Sequence, residues 1–243
     1  MANRGWSIEG ARVYAEAGVP SAFLARKAAE AGLTGLEWAV SLPGTIGGAV
    51  RGNAGCFGGE TKDVLASVDV LRVRDGKLER ATYAPEDCRF GYRESVFKHN
   101  QDVVLDVELE LAPAPKEECL AKLDAVLSKR KLEQPSDNPS AGCMFKNFEY
   151  KDEQEISKLK ERLEVPAAFL AAKRIPAGWL IEQDDLKGKR IGGAQVSDKH
   201  GNFLVNLGGA TASDVLQLIS LIKMRLRDDY GVQLEEEVQL LGF

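Results

Sequence analysis

Two runs of residues, 64–74 and 77–83, flank the dipeptide Asp75-Gly76. Both residues of that dipeptide tolerate the positive φ of a two-residue hairpin turn, so the flanking runs are expected to pair antiparallel. A third run, 103–111, alternates apolar with acidic residues, as a half-buried strand does. A fourth, 12–17, precedes a helix predicted over 21–31, with Pro20 at its start and Gly32 just past its end. Strands and helices do not alternate in a regular βαβ pattern. An α+β fold follows.

Ala112-Pro113-Ala114-Pro115 interrupts the strand pattern and marks a boundary between residues 1–112 and 113–243. Beyond it the chain is more helical. Leu120, Leu123 and Leu127 form an apolar stripe over 116–130. Further helices are expected over 153–163 and 177–183, with strands over 191–196 and 202–206. Thr211 and Asp214 have capping-box spacing for a long helix that runs to about Tyr230 and stops at Gly231. A final strand is expected over 232–241. The glycine-rich stretch 42–60 shows no periodicity and is expected to be irregular.

A net charge of −5 argues against non-specific nucleic-acid binding. A phosphate-bearing ligand would need a local basic patch; Lys129, Arg130 and Lys131 form a positive cluster, which would equally suit the decoration of a helix end. No apolar run approaches the roughly 20 residues of a membrane-spanning helix, and the N-terminus has no apolar signal core. The cytoplasm is the expected location. Cys56, Cys88, Cys119 and Cys143 form no C-x-x-C pair, and His99 and His200 are the only histidines, so no metal site is expected.

Four runs could carry chemistry. The first joins Leu42-Pro43-Gly44-Thr45-Ile46-Gly47-Gly48-Ala49 to Asn53-Ala54-Gly55. Successive backbone amides in such a segment can cradle a phosphate, although a tight structural loop has the same composition. In Gly91-Tyr92-Arg93, the guanidinium fork suits a carboxylate or an enolate-like oxygen. The plain alternative is a surface salt bridge with Glu94 or Asp87. The third, Ser140-Ala141-Gly142-Cys143-Met144-Phe145-Lys146-Asn147, places a thiol after small residues, where an inert cysteine would also fit. Leu234-Glu235-Glu236-Glu237-Val238 completes the set, and a glutamate run is commonly solvated surface.

In order, spacing and wording, these runs resemble the UDP-N-acetylenolpyruvoylglucosamine reductase family. The resemblance spans about residues 11–243. It includes Gly35-Leu36-Glu37, Ala177-Gly178-Trp179-Leu180-Ile181-Glu182, Leu186-Lys187-Gly188, Gly193-Ala194-Gln195-Val196-Ser197 and Asn202-Phe203-Leu204-Val205-Asn206. It implies part of a PCMH/vanillyl-alcohol-oxidase-type FAD-binding domain, followed by an α+β substrate-binding domain. It also implies FAD and NADPH as cofactors and a UDP-sugar as substrate. Arg93 and Glu237 would then support the charged intermediate and Cys143 would deliver a proton. Pro43, Gly44, Thr45, Gly47, Gly48, Ala49, Asn53, Ala54 and Gly55 would contact the flavin. Tyr92, Lys131, Lys146 and Asn147 would contact the substrate.

Three departures from the family pattern matter. Cys143 stands where serine is usual, and a thiol, with a reference pKa near ~8.5, is the better acid. Phe148 stands where proline is common. No glycine-rich Gly-Gly-Gly-Ser-Asn-type loop precedes the matched region, so flavin retention is expected to be weak. The alternatives to a self-sufficient reductase are a non-catalytic UDP-sugar-binding fragment and a subunit completed in trans by a flavin-binding partner chain.

Overall fold

Alternation of apolar and polar residues builds an antiparallel sheet in the first half of the chain. The computed structural model describes residues 4–242. Strands β1 (Trp6–Glu9) and β2 (Arg12–Glu16) form a hairpin, and α1 (Ser21–Glu30) follows. Next come β3 (Leu33–Thr34), α2 (Ile46–Gly52), and the short pair β4 (Gly55–Cys56) and β5 (Gly59–Glu60). Strands β6 (Leu65–Arg74) and β7 (Lys77–Tyr83) meet at Asp75-Gly76, whose φ values are 51° and 74°. That is the expected turn. After β8 (Val103–Glu110) and β9 (Ala112–Pro113), α3 occupies Lys116–Glu133.

The main sheet has the order β1-β2-β8-β6-β7. Val13, Ala15, Val68, Val70, Val107 and Leu109 point from it into a core shared with Leu24, Ala25, Ala28 and Ala29 of α1. Cys119 and Leu123 of α3 belong to the same core. The compact units accordingly run over Met1–Arg130 and Lys131–Phe243. Most of α3 therefore lies in the first unit, whereas the Ala-Pro break at 112/113 would assign it to the second.

In the second unit, β10 (Ser140–Cys143) and β11 (Phe148–Glu149) precede α4 (Ser157–Arg162) and α5 (Ala167–Ala171). Strand β12 (Arg174–Ile175), α6 (Ala177–Gln183), β13 (Arg190–Ile191), β14 (Ala194–Val196), β15 (Phe203–Asn206) and α7 (Ala212–Tyr230) complete it. The sheet order is β10-β15-β14-β13. Leu218, Ile219, Ile222 and Leu226 of α7 enter its core. Thr211 and Asp214 form the expected capping box, and Gly231 ends the helix at φ 74°.

Four expectations are corrected. The stretch 42–60 contains a regular helix, α2, capped at its start by the Thr45 hydroxyl and at its end by Asn53 in the left-handed region. Residues 191–196 form a tight hairpin rather than one strand. Residues 232–241 form no strand, and only the bridge between Phe145 and Glu236 pairs them. The helix expected over 153–163 begins as a 3₁₀ turn at Glu153–Ile156. Among the described residues, no helix is long and apolar enough to cross a membrane.

Asp184, just past α6, is buried, and Arg225 Nε stands 3.2 Å from its Oδ2. No N–H or O–H is aligned on that oxygen. Burial, outweighing the pull of Arg225, raises Asp184 above the ordinary carboxylate pKa. Its contribution to stability is complete below the unfolded-state value of about 3.9 and is lost as pH rises through the folded-state value. Asp184→Asn, neutral throughout, should therefore gain stability relative to the parent across that rise. Thermal midpoints of both proteins against pH provide the check, and parallel curves would rule the effect out.

Candidate active site

Helix α2 can approach β2 closely because Gly47 has no side chain. A Cβ there would lie 2.7 Å from that of Ala17. The first amides of α2 are bound within the protein: Ile46 donates to the Val19 carbonyl, Gly47 to that of Ala17, and Gly48 to the Thr45 hydroxyl. The run thus presents the exposed residues Pro43, Gly44, Thr45 and Gly48 rather than an open nest of amides. Gly44 has φ 133° with open space where a Cβ would stand. Ala49 is buried on the inner face of the helix.

Asn53 is fully buried. Its Nδ2 donates to Glu60 (2.7 Å) and to the Gly91 carbonyl (2.9 Å), while its Oδ1 accepts from the Lys62 amide (3.0 Å). The Ala54 amide donates to the Ala49 carbonyl. Ser95 reaches the Arg51 carbonyl at 2.6 Å. These bonds bring the glycine-rich run and Gly91-Tyr92-Arg93 together. Gly91 and Glu94 exchange backbone bonds around a tight turn, with Arg93 at φ 55°. The Arg93 guanidinium lies over the Tyr92 ring, 5.2 Å from its centroid, and donates to the Gly55 carbonyl at 2.8 Å. Glu94 pairs with His99 at 3.0 Å.

In the second unit, Cys143 ends β10 opposite Phe203. The Met144 amide donates to the Asn202 carbonyl, and the Met144 carbonyl accepts from the Glu237 amide, both at 2.8 Å. Asn202, which is buried, accepts from the Phe145 amide and donates to the Phe145 carbonyl. Backbone pairing therefore sets Glu237 against the residue that follows Cys143. The other two glutamates form ion pairs, Glu235 with Lys146 (3.1 Å) and Glu236 with Lys223 (2.9 Å). Asn147 Oδ1 accepts from the first amide of α6.

The three basic residues at the end of α3 separate. Lys129 lies over the Phe57 ring, Arg130 donates to Ser41, and Lys131 is exposed with its carbonyl held by Lys199. Sequence reasoning named Asn202 only within a matching run. Its signal was a lone polar residue opening an apolar strand.

A profile of the FAD binding domain matches residues 2–82. A profile of the UDP-N-acetylenolpyruvoylglucosamine reductase C-terminal domain matches residues 134–241. A UDP-N-acetylenolpyruvoylglucosamine reductase from Synechococcus sp. (strain WH7803) is 42% identical over 233 residues, which cover 96% of this chain and 67% of that protein. One from Syntrophomonas wolfei is 37% identical, covering 95% and 68%. The crystal structure of the UDP-N-acetylenolpyruvylglucosamine reductase from Thermus caldophilus aligns with a TM-score of 0.72 at 37% identity, covering 93% of this chain and 71% of that one. With the sequence runs gathered in each unit and the fold in agreement, the chain belongs to the UDP-N-acetylenolpyruvoylglucosamine reductase family of oxidoreductases.

Proposed function

We propose that this chain takes part in the FAD-dependent, NADPH-using reduction of UDP-N-acetylenolpyruvoylglucosamine to UDP-N-acetylmuramate, a step of peptidoglycan precursor synthesis. The observation that carries the reading is the gathering of matched residues in each unit. Arg93 is bonded onto the glycine-rich run, and Glu237 is paired against the residue beside Cys143.

The exposed surface at Pro43, Gly44, Thr45 and Gly48 fits a cofactor that lies flat against the chain. Bound FAD would supply hydride chemistry there. Asn53 serves that surface as an internal strut, since its side-chain bonds run to Glu60, Gly91 and Lys62. Arg93, oriented by the Tyr92 ring, offers its fork to the substrate carboxylate. Glu237 and Arg93 support the charge that develops on the substrate, and Cys143 holds the proton delivered to the adjoining carbon. Lys131, Lys146 and Asn147 contribute polar contacts to the UDP-sugar.

The test is NADPH oxidation by the purified chain supplied with FAD, with and without the enolpyruvyl substrate, alongside calorimetric titration with UDP-N-acetylglucosamine. Substrate-dependent oxidation is the expected result. Heat of sugar binding without any flavin binding would replace this reading with the non-catalytic one. Neither binding nor turnover would remove both.

A further inference from the structure

The glycine-rich run is held at both ends by guanidinium groups from distant parts of the first unit. At its exit, Arg93 donates to the Gly55 carbonyl. At its entry stands Ser41, the last residue of the 3₁₀ turn Glu37–Ser41. The carbonyl at the end of such a turn lacks an in-helix donor. Arg130, 89 residues away near the end of α3, supplies one. The same terminal nitrogen also reaches the Ser41 hydroxyl at 3.0 Å. Burial raises the Cys56 thiol, and the positive charges of Arg130 and then Arg93 oppose that rise.

We propose that Arg130 is a positioning residue for the cofactor surface. By fixing Ser41 it sets where the chain enters Leu42–Ala49, and so where the exposed residues Gly44, Thr45 and Gly48 stand. The inference deepens the proposed function and rests on it for the identity of the ligand. Arginine suits the task because its charge is permanent and its donors point in fixed directions. Lysine would keep the charge but not the fixed geometry. The neighbouring Lys129 stands over the Phe57 ring.

The experiment compares the parent chain with Arg130→Gln and Arg130→Lys. Peptide-resolved amide hydrogen exchange is followed over residues 42–49 and over β6–β7, and FAD is titrated by flavin fluorescence. A charge-assisted bond lost from a local opening unit should speed exchange over 42–49 about tenfold or more in the Gln variant. The Lys variant should fall between it and the parent, and β6–β7 should not change. FAD affinity should weaken about tenfold in the Gln variant and less in the Lys variant. Unchanged exchange over 42–49 overturns the proposal. An equal rise over β6–β7 also overturns it, since that marks a general loss of stability. If the parent binds no FAD, the functional reading fails, and the exchange pattern still decides whether Arg130 positions the segment.

Discussion

In the FAD-loaded protein, replacing Cys143 with alanine should slow substrate reduction about a hundredfold or more, while uptake of reducing equivalents from NADPH by the flavin stays at the parental rate. A positioned general acid contributes on that scale. The backbone beside Cys143 is held by main-chain bonds of its neighbour, which the substitution leaves in place. The neighbouring Met144 is held by the Asn202 carbonyl on one side and the Glu237 amide on the other. Cys143 itself is only half-buried, so the truncation leaves no large cavity. Cys143→Ser should retain much of the activity, since a hydroxyl at the same atom can also donate. Stopped-flow absorbance of the flavin, first with NADPH and then with substrate, separates the two halves of the reaction. An alanine variant that turns over like the parent would make Cys143 a packing residue.

Local chemistry made some of this molecule legible in the sequence. Asp75-Gly76 fixed a hairpin, Thr211 with Asp214 fixed a helix start, and 177–183 was recognised as a helix with the observed bounds. Each of these signals acts within a few residues. Helix α2 was missed because its glycines lower helix propensity. Its stability comes instead from Ile46, Ala49 and Val50 buried against the first core, with Thr45 and Asn53 as caps. A final strand is expected over 232–241, but Glu235 and Glu236 pair with Lys146 and Lys223 and a single bridge forms there. The Ala-Pro break at 112–115 is a true local interruption, yet Cys119 and Leu123 carry α3 back into the first core. At the candidate site, the runs themselves could be read from the sequence. The internal bonds of Asn53 could not, since a small polar residue among glycines also suits a ligand contact. Its partner Gly91 lies 38 residues away.

Asn53→Ala should be among the most damaging single substitutions in the first unit. The side chain is fully buried, and all three of its bonds end on groups that the change would leave without that partner: the Glu60 carboxylate, the Gly91 carbonyl and the Lys62 amide. Losing bonds to buried partners costs about 1–3 kcal/mol each, with partial recovery where water can enter, as it can beside half-exposed Glu60. The backbone adds to this. Asn53 has φ 40°, a region that asparagine tolerates and alanine does not, at about 1 kcal/mol. A total of about 4 kcal/mol would lower the melting temperature by roughly 10–15 °C. Asn53→Gly keeps the backbone freedom and loses the same bonds, so it should fall about 1 kcal/mol short of the alanine variant. Asn53→Asp keeps an acceptor for Lys62 but turns a second oxygen toward Glu60 and the Gly91 carbonyl, and should be nearly as harmful as alanine at neutral pH. The damage should extend to the site, because the Asn53–Gly91 bond helps to hold the turn that carries Arg93. Thermal unfolding of the three variants measures the first effect, and amide exchange over residues 91–95 measures the second. An alanine variant that melts within two or so degrees of the parent would show that the strut is dispensable.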